Sequence, residues 1–234
     1  MRSKTLPPAT AAAAPDTTES AQTHSARTKY AVEAIGTFFL VFTIGASVRS
    51  GSSLAPLAIG AVLMVMIYAG GHISGGHYNP AVTLAVLVRR RIEPRDAVGY
   101  WIAQVGAGLL AAAAVRAVRP GHVNPLILSE PAVAAAFVAE LLFTFALCYV
   151  VLNVATSKDH PGNSFYGLAI GFTVLAGAVA VGGISGGAFN PAVVFGGAAM
   201  DMFALPTLWV HLVAQLIAGA TAGVVFRALN PHDK

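Results

Sequence analysis

The chain has 234 residues, a formal net charge of +4 and a mean hydropathy of +0.70, and only 10% of its residues are charged. A soluble domain carries about 25% charged residues, so this chain cannot cover a soluble fold of its size with polar surface. The abundant apolar residues exclude disorder over most of the chain, and the single Cys148 excludes an internal disulfide. A helical protein embedded in the lipid bilayer is predicted.

The first 29 residues differ from everything that follows. They are rich in Ala, Thr, Ser and Pro, and they lack the continuous apolar core of a signal peptide. We predict that residues 1–29 form a solvated, disordered tail. A cleaved transit peptide is the alternative, and Asp16 and Glu19 count against it.

Six apolar runs then follow one another, each close to the ~20 residues that a helix needs to cross about 30 Å of hydrocarbon. None alternates with a period of two, so helices are predicted rather than barrel strands. The runs lie at residues 31–48, 54–70, 97–115, 132–155, 164–182 and 203–226.

Two further apolar runs, Asn79–Val88 and Asn190–Met200, are too short to cross. At 1.5 Å per residue, each reaches about half of the hydrocarbon thickness. Each follows a Gly-rich stretch, and such backbone is tolerated at membrane depth only inside protein or beside a water-filled cavity. Two half-length helices that meet end to end would complete one span, and this arrangement predicts a pore.

The two halves of the chain repeat one another. Residues 73–82 read ISGGHYNPAV and residues 184–193 read ISGGAFNPAV, which match at eight of ten positions with an offset of 111. Each half contains three spans, and an odd number of spans inverts the second half relative to the first. We therefore predict one channel domain at residues 30–228, with repeats at about 30–119 and 132–228, followed by a short tail at 229–234.

The positions of Lys and Arg predict the orientation. Six spans leave both termini on one side, which carries eleven basic residues, while the other side carries three. The positive-inside rule therefore places both termini in the cytoplasm. Because the basic residues lie mostly at the ends of the spans, they indicate topology, and no nucleic-acid partner is expected.

The sequence Asn-Pro-Ala opens both half-length runs. Asn is a strong helix N-cap and Pro is favoured at the next position, so both motifs predict helix starts. Two facing N-termini create a positive potential that repels cations and hydronium. Each Asn amide can donate to a passing oxygen, which orients a water molecule and interrupts a proton-conducting chain. The predicted pore motifs are Asn79, Pro80, Ala81, Asn190, Pro191 and Ala192.

With this paired motif in an inverted repeat, the chain resembles the aquaporin, or major intrinsic protein, family over about residues 30–228. The resemblance implies an all-α membrane fold of six tilted helices and two re-entrant half-helices. It also implies a homotetramer with one pore per subunit, and we expect it in the plasma membrane. The patterns Gly167–Gly171 and Gly219–Gly223 permit close helix contacts, either within one subunit or between subunits.

The resemblance also implies a narrow selectivity filter on the outer side of the motifs. The family usually has Arg directly after the second Asn-Pro-Ala, but this chain has Val193, and the other filter positions fall on Ile59, Ala178 and Gly187. The predicted filter is wider, apolar and uncharged. We expect passive flux of water with small neutral solutes such as ammonia, urea, hydrogen peroxide and glycerol. Val194 stands where glycerol facilitators carry Asp, so the match to that subgroup is poor.

Two other functions remain open. A strictly water-selective channel is the first, and a proton-coupled secondary transporter is the second, because inverted repeats and broken helices occur in transporters too. Glu33 and Glu140 would carry protons in a transporter. In a channel they would accept N–H bonds from the Gly-rich loops, and the symmetric placement favours this loop-bracing role.

The remaining polar residues suggest no catalysis. His72 and His77 are predicted to brace the first loop, and a pH gate is the alternative. No cluster has metal-ligand spacing, and neither a nucleophile–base pair nor a phosphate loop is present in the sequence. We therefore predict no catalytic residue, no cofactor and no metal site, and a membrane enzyme is the least favoured class.

Overall fold

The computed structural model describes residues 24–121 and 123–233, and these residues form helices without β-strands. The predicted all-α fold is confirmed. A π-helical turn, Leu152–Thr156, extends α5, and a 3-10 turn, Leu205–Thr207, precedes α8. The α-helices are α1 (Ala26–Arg49), α2 (Ala55–Ser74), α3 (Pro80–Val88), α4 (Pro94–Val118), α5 (Ala132–Val151), α6 (Tyr166–Ser185), α7 (Pro191–Ala199) and α8 (Leu208–Leu229).

Six of these helices are long and apolar enough to cross a membrane, as the sequence predicts. They are α1, α2, α4, α5 with its π-helical turn, α6, and α8 with its 3-10 turn. The other two, α3 and α7, have nine residues each and begin at the Pro of each Asn-Pro-Ala motif. At 1.5 Å per residue, each is about 14 Å long, which is half of a span.

Two helix starts, those of α1 and α8, differ most from the predicted boundaries. Helix α1 begins at Ala26, inside the predicted tail, because the side chain of Ser25 caps it by accepting the N–H of Thr28 at 3.2 Å. Residues 1–23 lie outside the described residues, so the disordered tail stays a prediction. Helix α8 begins at Leu208 rather than at residue 203, because the 3-10 turn around Pro206 breaks the apolar run.

The helices pack with the symmetry of the sequence repeat. In the first half α1 packs against α2 and α4, and in the second half α5 packs against α6 and α8. The two halves meet where α2 crosses α6. Each half-helix packs against the last long helix of the other half, α3 on α8 and α7 on α4. The half-helices therefore hold the two repeats together at the centre of the bundle.

Small residues make these central contacts possible. A Cβ atom at Gly108 would lie 2.7 Å from the carbonyl oxygen of Ala192 in α7, and its repeat mate Gly219 is in equally direct contact with Ala81 in α3. Gly171 lies against Gly60 where α6 crosses α2. Both Gly-xxx-Gly patterns therefore make contacts within one subunit, which is one of the two alternatives that the sequence left open.

Substituting Gly108 tests this close approach. We expect Gly108→Ala to lower the free energy of unfolding by about 1–3 kcal/mol, because the added methyl group has to displace the backbone of α7. The matched control is Gly106→Ala on the same helix, where a Cβ would meet nothing within 4 Å. The control should be neutral or slightly stabilising. Thermal unfolding of the purified protein in detergent measures both, and equal midpoints would contradict the prediction.

The ends of the bundle carry different basic side chains. Lys29, near the start of α1, borders the same cavity as Arg90 and Arg91, and we call this end the inner face. Arg49, at the other end of α1, reaches the carbonyl oxygen of Arg119, and we call that end the outer face. The two groups of basic residues that the sequence assigns to opposite sides of the membrane are thus separated by about the length of α1.

Candidate functional site

The two Asn-Pro-Ala motifs have nearly identical local geometry. Asn79 caps α3 by accepting the N–H of Ala81 at 2.8 Å, and Asn190 caps α7 by accepting the N–H of Ala192 at 2.9 Å. Each Pro occupies the first helical position, where its missing N–H costs no hydrogen bond. Both half-helices therefore begin with their free N–H groups at the motif, as the sequence predicts.

The Asn side chains also connect the two motifs. Asn79 Nδ2 donates to the carbonyl oxygen of Phe189 at 2.8 Å, and Asn190 Nδ2 donates to that of Tyr78 at 2.9 Å. Both Asn side chains border the same cavity. An amide nitrogen has two hydrogens. Each Asn therefore keeps one N–H that can bind a molecule in the cavity.

Glu33 fixes the first Gly-rich loop. Its carboxylate is fully buried and accepts hydrogen bonds from the backbone N–H groups of His77 (2.9 Å) and Tyr78 (2.6 Å). Two side chains donate as well, Ser74 at 2.7 Å and Gln104 at 2.8 Å. The loop thus has an internal hydrogen-bond acceptor at a depth where water is scarce.

Glu140 repeats this arrangement in the second half. It accepts from the N–H groups of Ala188 (3.0 Å) and Phe189 (2.8 Å), and from the side chains of Ser185 (2.7 Å) and Gln215 (2.8 Å). Neither of the two glutamines, Gln104 and Gln215, was singled out from the sequence as a partner of the buried carboxylates. The sequence could have identified both glutamines, because each half carries one Gln and one Glu within its apolar spans. Polar side chains inside apolar spans are expected to hydrogen-bond to one another.

The histidines do not all behave as predicted. His77 lies inside the first loop, buried, with Nδ1 at 3.1 Å from the hydroxyl of Thr83. His72 is exposed on the last turn of α2 and makes no hydrogen bond to a described residue, so the prediction that it braces the loop is wrong. Tyr100 supplies a brace that the sequence reading missed, because its hydroxyl donates to the carbonyl oxygen of Ser74 at 2.6 Å.

A cavity of about 600 Å³ runs past both motifs. The four predicted filter positions, Ile59, Ala178, Gly187 and Val193, all border it. Its lining follows the repeat, because Val193 has the mate Val82 at the offset of 111, and both border the cavity. None of the described residues that border it is charged.

A second cavity of about 570 Å³ opens on the inner face. Its lining is more polar and includes Ser74, Arg90, Arg91 and Asp96. His77 borders both cavities, so this loop residue lies where the apolar cavity meets the inner mouth. Together the two cavities mark a path along the bundle through the tips of the half-helices.

The outer mouth is shaped by a loop that the sequence interpretation did not single out. Residues 123–127 border the outer part of the apolar cavity. Leu126 is paired with the segment after α7, since its N–H donates to the carbonyl oxygen of Met202 at 2.9 Å. Arg49 donates to the carbonyl oxygens of Met200 (2.8 Å) and Arg119 (3.1 Å), which joins α1, the end of α7 and the start of this loop. A cation there also complements the helix dipole of α7.

A family comparison agrees with this geometry. The sequence profile of the family described as "Major intrinsic protein" matches residues 20–226. The chain belongs to the major intrinsic protein family. Members of this family are channels and not enzymes, so this protein is a multi-pass membrane channel. The described residues contain no group of three or more His, Cys, Asp or Glu that could hold a metal ion.

Curated relatives cover nearly all of the channel. The chain is 39% identical to glycerol uptake facilitator protein-like 6 of Lactiplantibacillus plantarum, over 88% of this chain and 99% of the relative. It is 38% identical to aquaporin NIP1-1 of Oryza sativa, over 83% of this chain and 71% of the relative. It is also similar to nodulin-26 of Glycine max, at 33% identity over 88% of this chain and 79% of the relative.

A solved structure has the same fold. The aquaglyceroporin from Plasmodium falciparum superposes with a TM-score of 0.75, covering 88% of this chain and 98% of its own. The sequence identity is 20%, so this likeness concerns the fold alone. It agrees with the predicted arrangement of six spans and two half-helices.

Proposed function

We propose that this protein conducts water together with small neutral solutes, such as ammonia, urea, hydrogen peroxide and glycerol, and excludes protons. The observation that carries the proposal is the apolar, uncharged lining at Ile59, Ala178, Gly187 and Val193. A lining without charge or fixed donors does not select water by hydrogen bonding, so size governs which neutral solutes pass. The similarity to a glycerol uptake facilitator-like protein supports this range of solutes.

The proposed exclusion of protons depends on the centre of the bundle. The N-termini of α3 and α7 meet there, and their partial positive charges oppose the passage of hydronium. The free N–H groups of Asn79 and Asn190 both donate to one oxygen, so the water molecule between them points its hydrogens outward. A water held in this way cannot accept a proton from its neighbour.

The loop-bracing role of Glu33 and Glu140 supports a channel over a transporter. Each carboxylate already accepts four hydrogen bonds from its own loop and its Gln partner. Protonation would remove acceptor capacity and break this set. A residue that carries protons has to alternate between a protonated and an ionised state, whereas the hydrogen bonds to these carboxylates favour the ionised state alone.

Stopped-flow light scattering of proteoliposomes tests the function. We expect water, urea and glycerol permeabilities above those of empty liposomes, and no faster decay of a pH gradient reported by an internal dye. Solute permeabilities equal to those of empty liposomes would favour a strictly water-selective channel. Accumulation of a solute driven by a proton gradient would favour a secondary transporter and contradict the proposal.

The assembly and topology are further parts of the proposal. We infer a homotetramer with one pore per subunit in the plasma membrane, with both ends of the chain in the cytoplasm. Arg90, Arg91 and Lys158 at the inner face support this orientation through the positive-inside rule. Native mass spectrometry of the detergent-solubilised protein tests the number of subunits.

A further inference from the structure

Asp233, which follows α8, is buried although Pro231 and His232 before it are exposed. Its Oδ1 accepts hydrogen bonds from Arg89 Nη2 at 2.6 Å and Arg91 Nη2 at 3.2 Å. Its Oδ2 accepts the backbone N–H of Lys158 at 3.0 Å. One carboxylate therefore joins the segment after α8, the turn after α3, and the loop between α5 and α6.

The partner of Asp233 is itself buried. The Arg89 side chain is 2% exposed, and its guanidinium lies 4.5 Å from the centre of the Phe226 ring. A buried cation requires a partner of opposite charge. Burial raises the pKa of Asp233, but hydrogen bonds from Lys158 and Ser157 and the charge of Arg89 more than offset this and hold it below its usual value. The carboxylate is thus charged at neutral pH.

This cluster lies at the rim of the inner mouth. Arg91 borders the inner cavity, and so do Ala155 and Thr156 at the end of the π-helical turn. The chain then leaves the rim as the largely exposed segment 157–165, which the Lys158 contact fastens at its start. The far end of this loop is held by Asn163, whose Nδ2 donates to the carbonyl oxygen of Val154 at 2.7 Å. Without the Lys158 contact, the exposed start of the loop beside the rim loses its tie to the turn after α3 and can shift over the opening.

We propose that Asp233 is a positioning residue that keeps the inner mouth clear by fastening the loop 157–165 to the turn after α3. A wide mouth adds little resistance in series with a narrow pore, so loosening the loop can lower the flux by obstruction but cannot raise it. The filter positions border the other cavity, so the ratio of solute to water permeability should stay constant. The inference does not depend on which solutes permeate.

The first test is Asp233→Asn in proteoliposomes. We expect the water permeability to fall about threefold, because losing charge-assisted hydrogen bonds shifts the loop towards obstructing positions. Asp233→Glu, which retains the charge, should recover most of the flux. Asp159→Asn is the matched control, because Asp159 is an exposed acid in the same loop and should leave the flux unchanged.

A distance measurement detects the contact directly. Spin labels at Glu93→Cys and Lys158→Cys, both exposed positions, report the separation of the two fastened segments, and the one native cysteine, Cys148, is buried. We expect a narrow distance distribution with Asp233 and a broad one with Asp233→Asn. A structural role elsewhere in the fold would leave this distribution unchanged.

A double variant covers the case in which Asp233→Asn does not fold because Arg89 is left unpaired. Arg89→Met with Asp233→Asn removes both charges, and Met can still pack on Phe226. Unchanged water permeability, an unchanged distance distribution, or an altered solute-to-water ratio in a folded variant would overturn the proposal. If the wild-type protein showed no flux at all, the proposed function would fail. The distance measurement would still show whether Asp233 fastens the loop 157–165 to the turn after α3.

Discussion

The variant Val193→Arg is expected to lower the urea and glycerol permeabilities by at least about tenfold, which corresponds to an added barrier of about 1.4 kcal/mol. Water permeability should change much less. Val193 is buried on the first turn of α7 and borders the apolar cavity together with Ile59 and Ala178. A guanidinium there narrows the path and adds fixed donors that suit water better than larger solutes. Stopped-flow measurements on proteoliposomes give the three permeabilities.

Two companion variants separate size from charge. Val193→Leu adds bulk without charge and should reduce glycerol flux more than urea flux. Val193→Thr keeps the shape of the side chain and should leave both fluxes near the wild-type level. Thermal unfolding identifies folded variants, because a charge introduced at a buried position costs stability. Unchanged urea flux in folded Val193→Arg would contradict the placement of the filter at this position.

Glu140→Ala is expected to abolish the folded channel. The substitution leaves four donors without their acceptor, two backbone N–H groups and the side chains of Ser185 and Gln215. Each buried donor without a partner costs about 1–3 kcal/mol, so the loss is at least about 4 kcal/mol. That is a large share of the stability of a typical protein. Yield of monodisperse protein and its unfolding midpoint measure the effect.

The matched control for this variant is Glu93→Ala, which removes an exposed carboxylate and should change stability by less than about 0.5 kcal/mol. Glu140→Gln, which retains the shape and one acceptor oxygen, should lie between the two. A folded Glu140→Gln protein of wild-type stability that has lost all flux would instead indicate a proton-carrying role, and would contradict the loop-bracing role.

The sequence predicted the elements of this fold well because the membrane limits the choices. A helix has to cross a fixed thickness of hydrocarbon, so run length separates α4 from α3 without any tertiary information. Pro80 and Pro191 mark the half-helix starts through purely local backbone chemistry. The predictions failed where local capping decided the boundary, as at Ser25, and where a side chain direction was needed, as at His72.

The tertiary structure was needed for every contact between distant segments. Gln104 is 71 residues from Glu33, and Arg49 is 151 residues from Met200. Sequence separations this long produce no regular spacing that could be recognised in a single sequence. Asp233 in particular looks like an ordinary residue of a short polar tail, and only the fold brings it to the buried Arg89.

By itself, the sequence determined the membrane class, the number of spans and the inverted repeat. These properties follow from composition, length and local order along the chain. Only the tertiary structure showed that Val193 and its repeat mate Val82 border one cavity, and that both Gly-xxx-Gly patterns pack inside the subunit. It also showed that the Asp233 carboxylate, beyond α8, contacts both Arg89 and the backbone of Lys158. The reason is physical: packing and hydrogen bonding depend on distances between atoms, and in this chain the residues that form the pore come together only when its two halves interlock.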